Sequence, residues 1–291
     1  MDEKVKISLI KPSSINIDPW ATGFKNRGIE VIENAVDSDC EIIICASISQ
    51  LKRLQYFHNL YPNIPIINYN WDIYEWHKSQ LAYDWALYGV FLEKSIEIWC
   101  PSEEVALRTE EFYGQGHKCE IVKTAAILFD APPEKIKDSR YIFQPVRQYT
   151  KDRNYGLLRS ACTQLNLPLT ETNHRLSEDA FRKTILECSF MCVDYHEAST
   201  GGLTLIEGYR HGKPVLISDS KYMGAQDYFG SRAIYFKDGD LEDLKAKLLI
   251  LWNDTPKYDL QDCIQFTNQY TYDIMIDHMT KRIRKCIKNQ Q

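Results

Sequence analysis

The chain has 291 residues, of which 44% are hydrophobic and 26% charged, and this length suits two α/β domains of modest size, each with its own core. A formal net charge of −5 excludes any general attraction to phosphate backbones or anionic lipid, so a partner of that kind must meet a local basic patch. The nine cysteines have neither zinc-ligand nor C-x-x-C spacing and read as reduced, buried thiols.

The N-terminus, Met-Asp-Glu-Lys-Val-Lys, runs into an apolar strand without a signal-peptide core, and no run of about 18 apolar residues follows. A cytoplasmic chain without a transmembrane segment is expected. Predicted strands at 5–10, 29–33, 41–46, 65–69, 96–101 and 120–123 alternate with helical patterns, the rhythm of a mostly parallel sheet covered by helices on both faces. Residues 130–139 combine prolines with charge, break both periodicities and read as a linker. The expected domains are therefore 1–135 and 136–291.

The rhythm restarts with a strand at 141–145, helices at 155–165 and 177–187, a strand at 190–195, a helix at 203–211, strands at 214–218 and 233–236 and a helix at 241–252. A last helix at 272–287 places Met275, Met279, Ile283 and Ile287 on one face, so it is expected to pack back along a domain. Its other face carries Lys281, Arg282, Arg284, Lys285 and Lys288. These read as a solvated face that complements the helix dipole, with contact to nucleic acid or a membrane surface as the alternative. Two doubly wound domains facing each other would leave a cleft at the carboxyl ends of their strands, where open parallel sheets bind ligands.

The most informative stretch is Asp194-Tyr-His-Glu-Ala-Ser-Thr-Gly-Gly-Leu-Thr-Leu-Ile-Glu-Gly-Tyr-Arg-His-Gly-Lys-Pro-Val-Leu-Ile-Ser218. It reads as strand, glycine-containing loop, helix, turn and strand. Gly201 and Gly202 let backbone amides at the helix start approach a ligand closely, and the helix N-terminus favours negative charge, so a pyrophosphate is a natural occupant. Glu207 falls about one turn inside the helix, beyond the reach of capping. It is either a solvated helix residue or a carboxylate accepting hydrogen bonds from ribose hydroxyls.

This stretch resembles the signature of retaining glycosyltransferases built from two Rossmann-like domains (GT-B), and in particular the large family 4 group. Three further segments resemble that family in the same order. They are Glu97-Ile-Trp-Cys-Pro-Ser102, a strand and a Ser-headed helix, Phe143-Gln-Pro-Val-Arg147-Gln-Tyr-Thr-Lys151, a strand followed by cations, and Ala233-Ile-Tyr-Phe-Lys-Asp-Gly-Asp240, a loop into the penultimate helices. The resemblance implies transfer of a sugar from a nucleoside diphosphate sugar to an acceptor hydroxyl. Arg147 and Lys151, with Arg153 as a competing second cation, would neutralise the donor diphosphate. His196, Ser199, Thr200, Gly201, Gly202, Leu203, Thr204 and Glu207 would line the donor. The family's two glutamates flank seven residues, but Ser199 stands eight positions before Glu207 and the nearest upstream carboxylate is Glu197. Either Glu197 reaches the donor sugar or Ser199 takes that place. The first domain also lacks the family's Gly-Gly pair after its first strand and offers Pro-Trp-Ala-Thr-Gly, ending at Gly23, instead.

The stretch Asn68-Tyr-Asn-Trp-Asp72-Ile-Tyr-Glu75-Trp-His77 follows a strand, and its aromatics and carboxylates are expected on the acceptor side. Asp72 could deprotonate an acceptor hydroxyl or cap the following helix. Asp238-Gly-Asp240 looks like a metal-binding D-x-D, but Asp240 with Asp243 three residues on has the pattern of a helix cap, so no metal or cofactor is expected. The acceptor is left open between a saccharide, a lipid-linked or small molecule and, as a rival reading, a modified DNA base. A sugar-nucleotide epimerase and a non-catalytic sugar-nucleotide-binding protein are the other rivals.

Overall fold

The computed structural model of the chain describes residues 5–12, 18–71, 84–129, 139–145, 155–171, 177–194, 202–220 and 225–290. In chain order its elements are β1 (Lys6–Ile10), α1 (Asp18–Lys25), β2 (Glu30–Glu33), β3 (Ile42–Cys45), α2 (Leu51–Leu60), β4 (Ile66–Tyr69), α3 (Trp85–Lys94), β5 (Ser95–Cys100), α4 (Glu103–Tyr113) and β6 (Cys119–Ile121). They continue with β7 (Ile142–Gln144), α5 (Tyr155–Leu165), β8 (Leu169–Glu171), α6 (Glu178–Glu187), β9 (Phe190–Val193), α7 (Leu203–Arg210) and β10 (Val215–Asp219). The last are α8 (Ala225–Phe229), β11 (Ile234–Lys237), α9 (Leu241–Asn253), α10 (Leu260–Thr267) and α11 (Tyr272–Lys288).

The strands form two sheets in which every described pairing is parallel, with orders β2-β1-β3-β4-β5-β6 and β11-β10-β9-β7-β8. Parallel strands covered on both faces read as continuous apolar runs, and Ile42-Ile-Ile-Cys45 and Phe190-Met-Cys-Val193 are buried throughout. Each sheet with its helices is a doubly wound, Rossmann-like unit. Polar caps set helix starts where the sequence places them: Ser102 Oγ accepts from Val105 N–H and Ser177 Oγ from Ala180 N–H, both over 3.3 Å.

The chain divides into one unit of Met1–Ala125 with Tyr272–Gln291 and a second of Ala126–Thr271. The expected boundary at 135/136 lies outside the described residues. The last helix, assigned from sequence to the second domain, packs in the first unit. Met275, Ile276, Met279 and Ile283 of α11 share a core with Trp20 and Phe24 of α1. The approach is so close that a Cβ on Gly23 would lie 2.9 Å from Ile276 Cγ1. Gly23 therefore serves helix packing, which accounts for a glycine at that position without any ligand.

Polar contacts reinforce this docking and correct the reading of the basic face. Arg282 pairs with Glu97 and Glu120, Glu97 also accepts from Trp99 Nε1 over 2.7 Å, and Arg284 donates to the Arg27 carbonyl over 3.1 Å. Arg27 in turn pairs with Asp273 and Asp277. Lys281, Lys285 and Lys288 are exposed. The two arginines thus fasten the helix to its own unit, Arg282 through carboxylates on β5 and β6 and Arg284 through a backbone carbonyl just past α1.

Candidate functional site

In the second unit the chain runs from β7 outward to β8 and then crosses to β9 on the other side of β7, so the strand order reverses between β7 and β9. Crevices at the carboxyl ends of strands flanking such a reversal are where open parallel sheets bind ligands. Those ends here are Gln144, the last residue of β7, and Asp194, which follows β9. Residues 146–154, with Arg147, Lys151 and Arg153, and residues 195–201, with His196, Glu197, Ser199, Thr200 and Gly201, continue from these two ends and lie outside the described residues. Asp72 also lies outside them.

Gly202 is the N-cap of α7 and has no side chain with which to bond the first-turn N–H groups. A helix start whose N-cap residue brings no side chain, with its backbone donors and the positive end of the dipole, suits an anion. Leu203 and Thr204, in that first turn, are half-buried. Glu207 is 7% exposed, so it is not a solvated helix residue. The helix is pressed onto β9, since a Cβ on Gly208 would meet Met191 Sδ at 2.0 Å. Its far end is held from the other side: Tyr209 packs on Tyr258 and Phe266 with ring centroids 5.4 Å away, and Arg210 bonds Asn268 over 3.0 Å. The helix α10, not anticipated from sequence, supplies Phe266 and so backs the helix that carries Glu207.

Asp194 is a site feature that sequence reasoning did not single out. It is 2% exposed. Its Oδ1 accepts from the Gln144 side-chain amide, and its Oδ2 from Leu158 N–H at the start of α5 over 2.9 Å. Burial pushes its carboxyl up to about 7, against the pull of those hydrogen bonds. The sequence signal is a carboxylate directly after a wholly apolar strand, a place where a charge is costly unless it has partners.

In the first unit the described part of the expected acceptor stretch is structural. Tyr69, one of the aromatics expected on the acceptor side, is 1% exposed and donates to the Val122 carbonyl over 2.7 Å. Trp71 stacks on Trp20 with centroids 6.0 Å apart and donates to the Ala46 carbonyl over 2.7 Å. Asn70 is buried between Thr109 and Tyr88, bonding each over 2.7 Å. These groups close the carboxyl end of the sheet, because a residue just past a buried strand is still inside the core.

The D-x-D look-alike is also resolved. Asp240 caps α9 by accepting from Glu242 and Asp243 N–H, and Asp243 accepts from Lys237 N–H over 2.8 Å. Among the described residues no cluster of His, Cys, Asp and Glu could hold a metal ion, and no helix is long and apolar enough to cross a membrane.

No protein-family model matches the chain, and no curated protein matches it. Solved structures match along nearly its whole length. HepE of Anabaena, in complex with UDP and glucose, has 11% identity and a TM-score of 0.70, covering 98% of this chain and 100% of its own. Sucrose-phosphate synthase from Thermosynechococcus elongatus has 10% identity and a TM-score of 0.78, with 98% and 100% covered. A glycosyltransferase from Rickettsia africae has 13% identity and a TM-score of 0.68, with 98% and 99% covered. At such identities the likeness is one of fold, and the fold is GT-B, two Rossmann-like domains in one chain.

Proposed function

We propose that the chain is a glycosyltransferase that moves a sugar from a nucleoside diphosphate sugar to an acceptor hydroxyl, with retention at the anomeric carbon and without a metal. One observation carries the reading: a helix start with a glycine N-cap at Gly202 and a buried Glu207 share one helix beside the β7/β9 reversal. The same fold occurs in HepE, which is solved with UDP-glucose. A carboxylate held this deep on a helix beside the crevice can accept hydrogen bonds from two ribose hydroxyls.

In this reading Arg147 and Lys151, or Arg153 as the second cation, bind the diphosphate after β7. Their fixed charge stabilises the leaving group as the glycosidic C–O bond breaks. Glu197 or Ser199 faces the donor sugar beside His196, and Asp72 orients the acceptor hydroxyl. Attack comes from the face the diphosphate leaves. The new C–O bond forms there, and a departing phosphate oxygen takes the hydroxyl proton. With a helix terminus and two cations on the diphosphate, and with Asp240 engaged as a cap, the charge is balanced without a metal. A cytosolic setting is part of the same proposal, in keeping with nine cysteines present as thiols.

The test is thermal stabilisation by nucleoside diphosphates and their sugars, with and without magnesium, in the wild type and Glu207→Ala. A selective rise in Tm, independent of magnesium and lost in the variant, is expected. No rise with any nucleotide would overturn the reading.

A further inference from the structure

The ends of three elements, β7, β9 and α5, meet at one carboxyl group. Asp194 follows β9, its Oδ1 is held by the Gln144 side chain at the end of β7, and its Oδ2 is held by Leu158 N–H at the start of α5. Both side chains are sealed, Asp194 at 2% and Gln144 at 1% exposure. Gln144 and α5 bracket the residues that carry Arg147, Lys151 and Arg153, and Asp194 opens the residues that lead to Gly202 and α7.

From this we infer that Asp194 is a positioning residue for donor binding, a bridge that fixes the end of β9 to the end of β7 and the start of α5, the elements between which the donor residues fall in the chain. The inference rests on the donor reading above. A core needs no carboxylate at this point, since an apolar side chain would bury at lower cost. What the carboxylate adds is a pair of directional bonds to two other segments. The Gln144 Oε1 is buried without a hydrogen-bond partner. Turning that amide over lets Oε1 accept from a neutral partner at position 194, so an uncharged bridge keeps both bonds. The raised Asp194 carboxyl is in keeping with such a form. Asp194 touches no reacting atom in this scheme, and its effect is exerted through the segments it holds.

The experiment measures dissociation constants of UDP, ADP, GDP, CDP and dTDP by titration calorimetry, well below the Tm of each protein. The set is wild type, Asp194→Ala, Asp194→Asn, Gln144→Ala and Leu251→Ala. Leu251 is 1% exposed in the last turn of α9. Its neighbour Trp252 accepts from Arg140, which precedes β7, so Leu251→Ala opens a cavity at the opposite end of the sheet. Whichever nucleotide binds the wild type is expected to bind Asp194→Ala and Gln144→Ala roughly tenfold or more weakly. Asp194→Asn should stay within about threefold, because its oxygen accepts from Leu158 and its amide donates to the turned Gln144. Leu251→Ala should bind like the wild type despite lost stability.

Unchanged binding by Asp194→Ala overturns the inference and leaves the donor reading standing. Equal weakening in Leu251→Ala reduces the effect to lost stability and also overturns it. A wild type that binds none of the five fails the donor reading and takes the inference with it. Should Asp194→Ala not fold, Gln144→Ala against Asp194→Asn decides: weakening confined to the former supports the bridge, and equal binding by the two overturns it.

Discussion

Gly208 of α7 and Met191 of β9 are in such close contact that a Cβ on the glycine would lie 2.0 Å from the methionine sulfur. Backbone of the helix therefore rests directly on the strand, which sets the depth at which Glu207 and the helix start are held. Gly208→Ala must displace Met191, which is 0% exposed, and overpacking of this kind costs about 1–3 kcal/mol. Urea denaturation should show that loss. In the double variant Gly208→Ala/Met191→Ala the glycine substitution should cost much less, since the cavity accepts the new methyl.

Arg282 links α11 to β5 and β6 through Glu97 and Glu120. Glu97 is 6% exposed, so Arg282→Ala leaves a buried carboxylate that keeps its bond from Trp99 Nε1 but loses its balancing charge. A loss of about 2–4 kcal/mol is expected, and Arg282→Met paired with Glu97→Gln should recover most of it, because a neutral pair carries no unbalanced charge. Chemical denaturation of the three proteins decides. Equal loss in single and double variants would mean that packing, and not charge, dominates.

The Asp194 carboxyl is held up to about 7 in the folded chain, against about 3.9 in an unfolded one. The folded state then binds the proton more tightly. Its contribution is fully present below pH of about 4, is lost as pH rises through about 7, and is flat above that. Asn at this position does not titrate. The stability of Asp194→Asn minus that of the wild type should therefore climb between pH 4.5 and 7.5, by an amount on the order of 3–4 kcal/mol at most. A difference that stays constant with pH would refute the shift.

Asp240 accepts from two N–H groups at the start of α9. Asp240→Ala should cost about 1 kcal/mol as a lost cap and leave nucleotide binding unchanged with or without magnesium. Thermal melting with nucleotide and either magnesium or a chelator separates this from a metal site, for which the variant would lose a magnesium-dependent shift.

Local order was readable wherever a short stretch carries its own cause. The apolar run at 42–45 could only be a buried strand, and Ser102, Ser177 and Asp240 announce helix starts, because a cap bonds N–H groups two or three residues away. The alternation of strands and helices was enough for two Rossmann-like units. The pattern failed where an element is too short or too polar to show a period, as in the three residues of β8, or where one apolar stripe has several possible partners.

The sequence by itself therefore determined the two-sheet class, most element positions and the stretch around Glu207, all consequences of interactions within a few residues. Only the tertiary structure decided which unit α11 completes, through Arg27 and Asp277, 250 residues apart in the chain. It alone turned Tyr69 and Trp71 inward, and it alone made Asp194 a bridge to Gln144 and Leu158, 50 and 36 residues away. Contacts at such separations leave no periodic trace, because neither partner's own neighbourhood changes to announce the other.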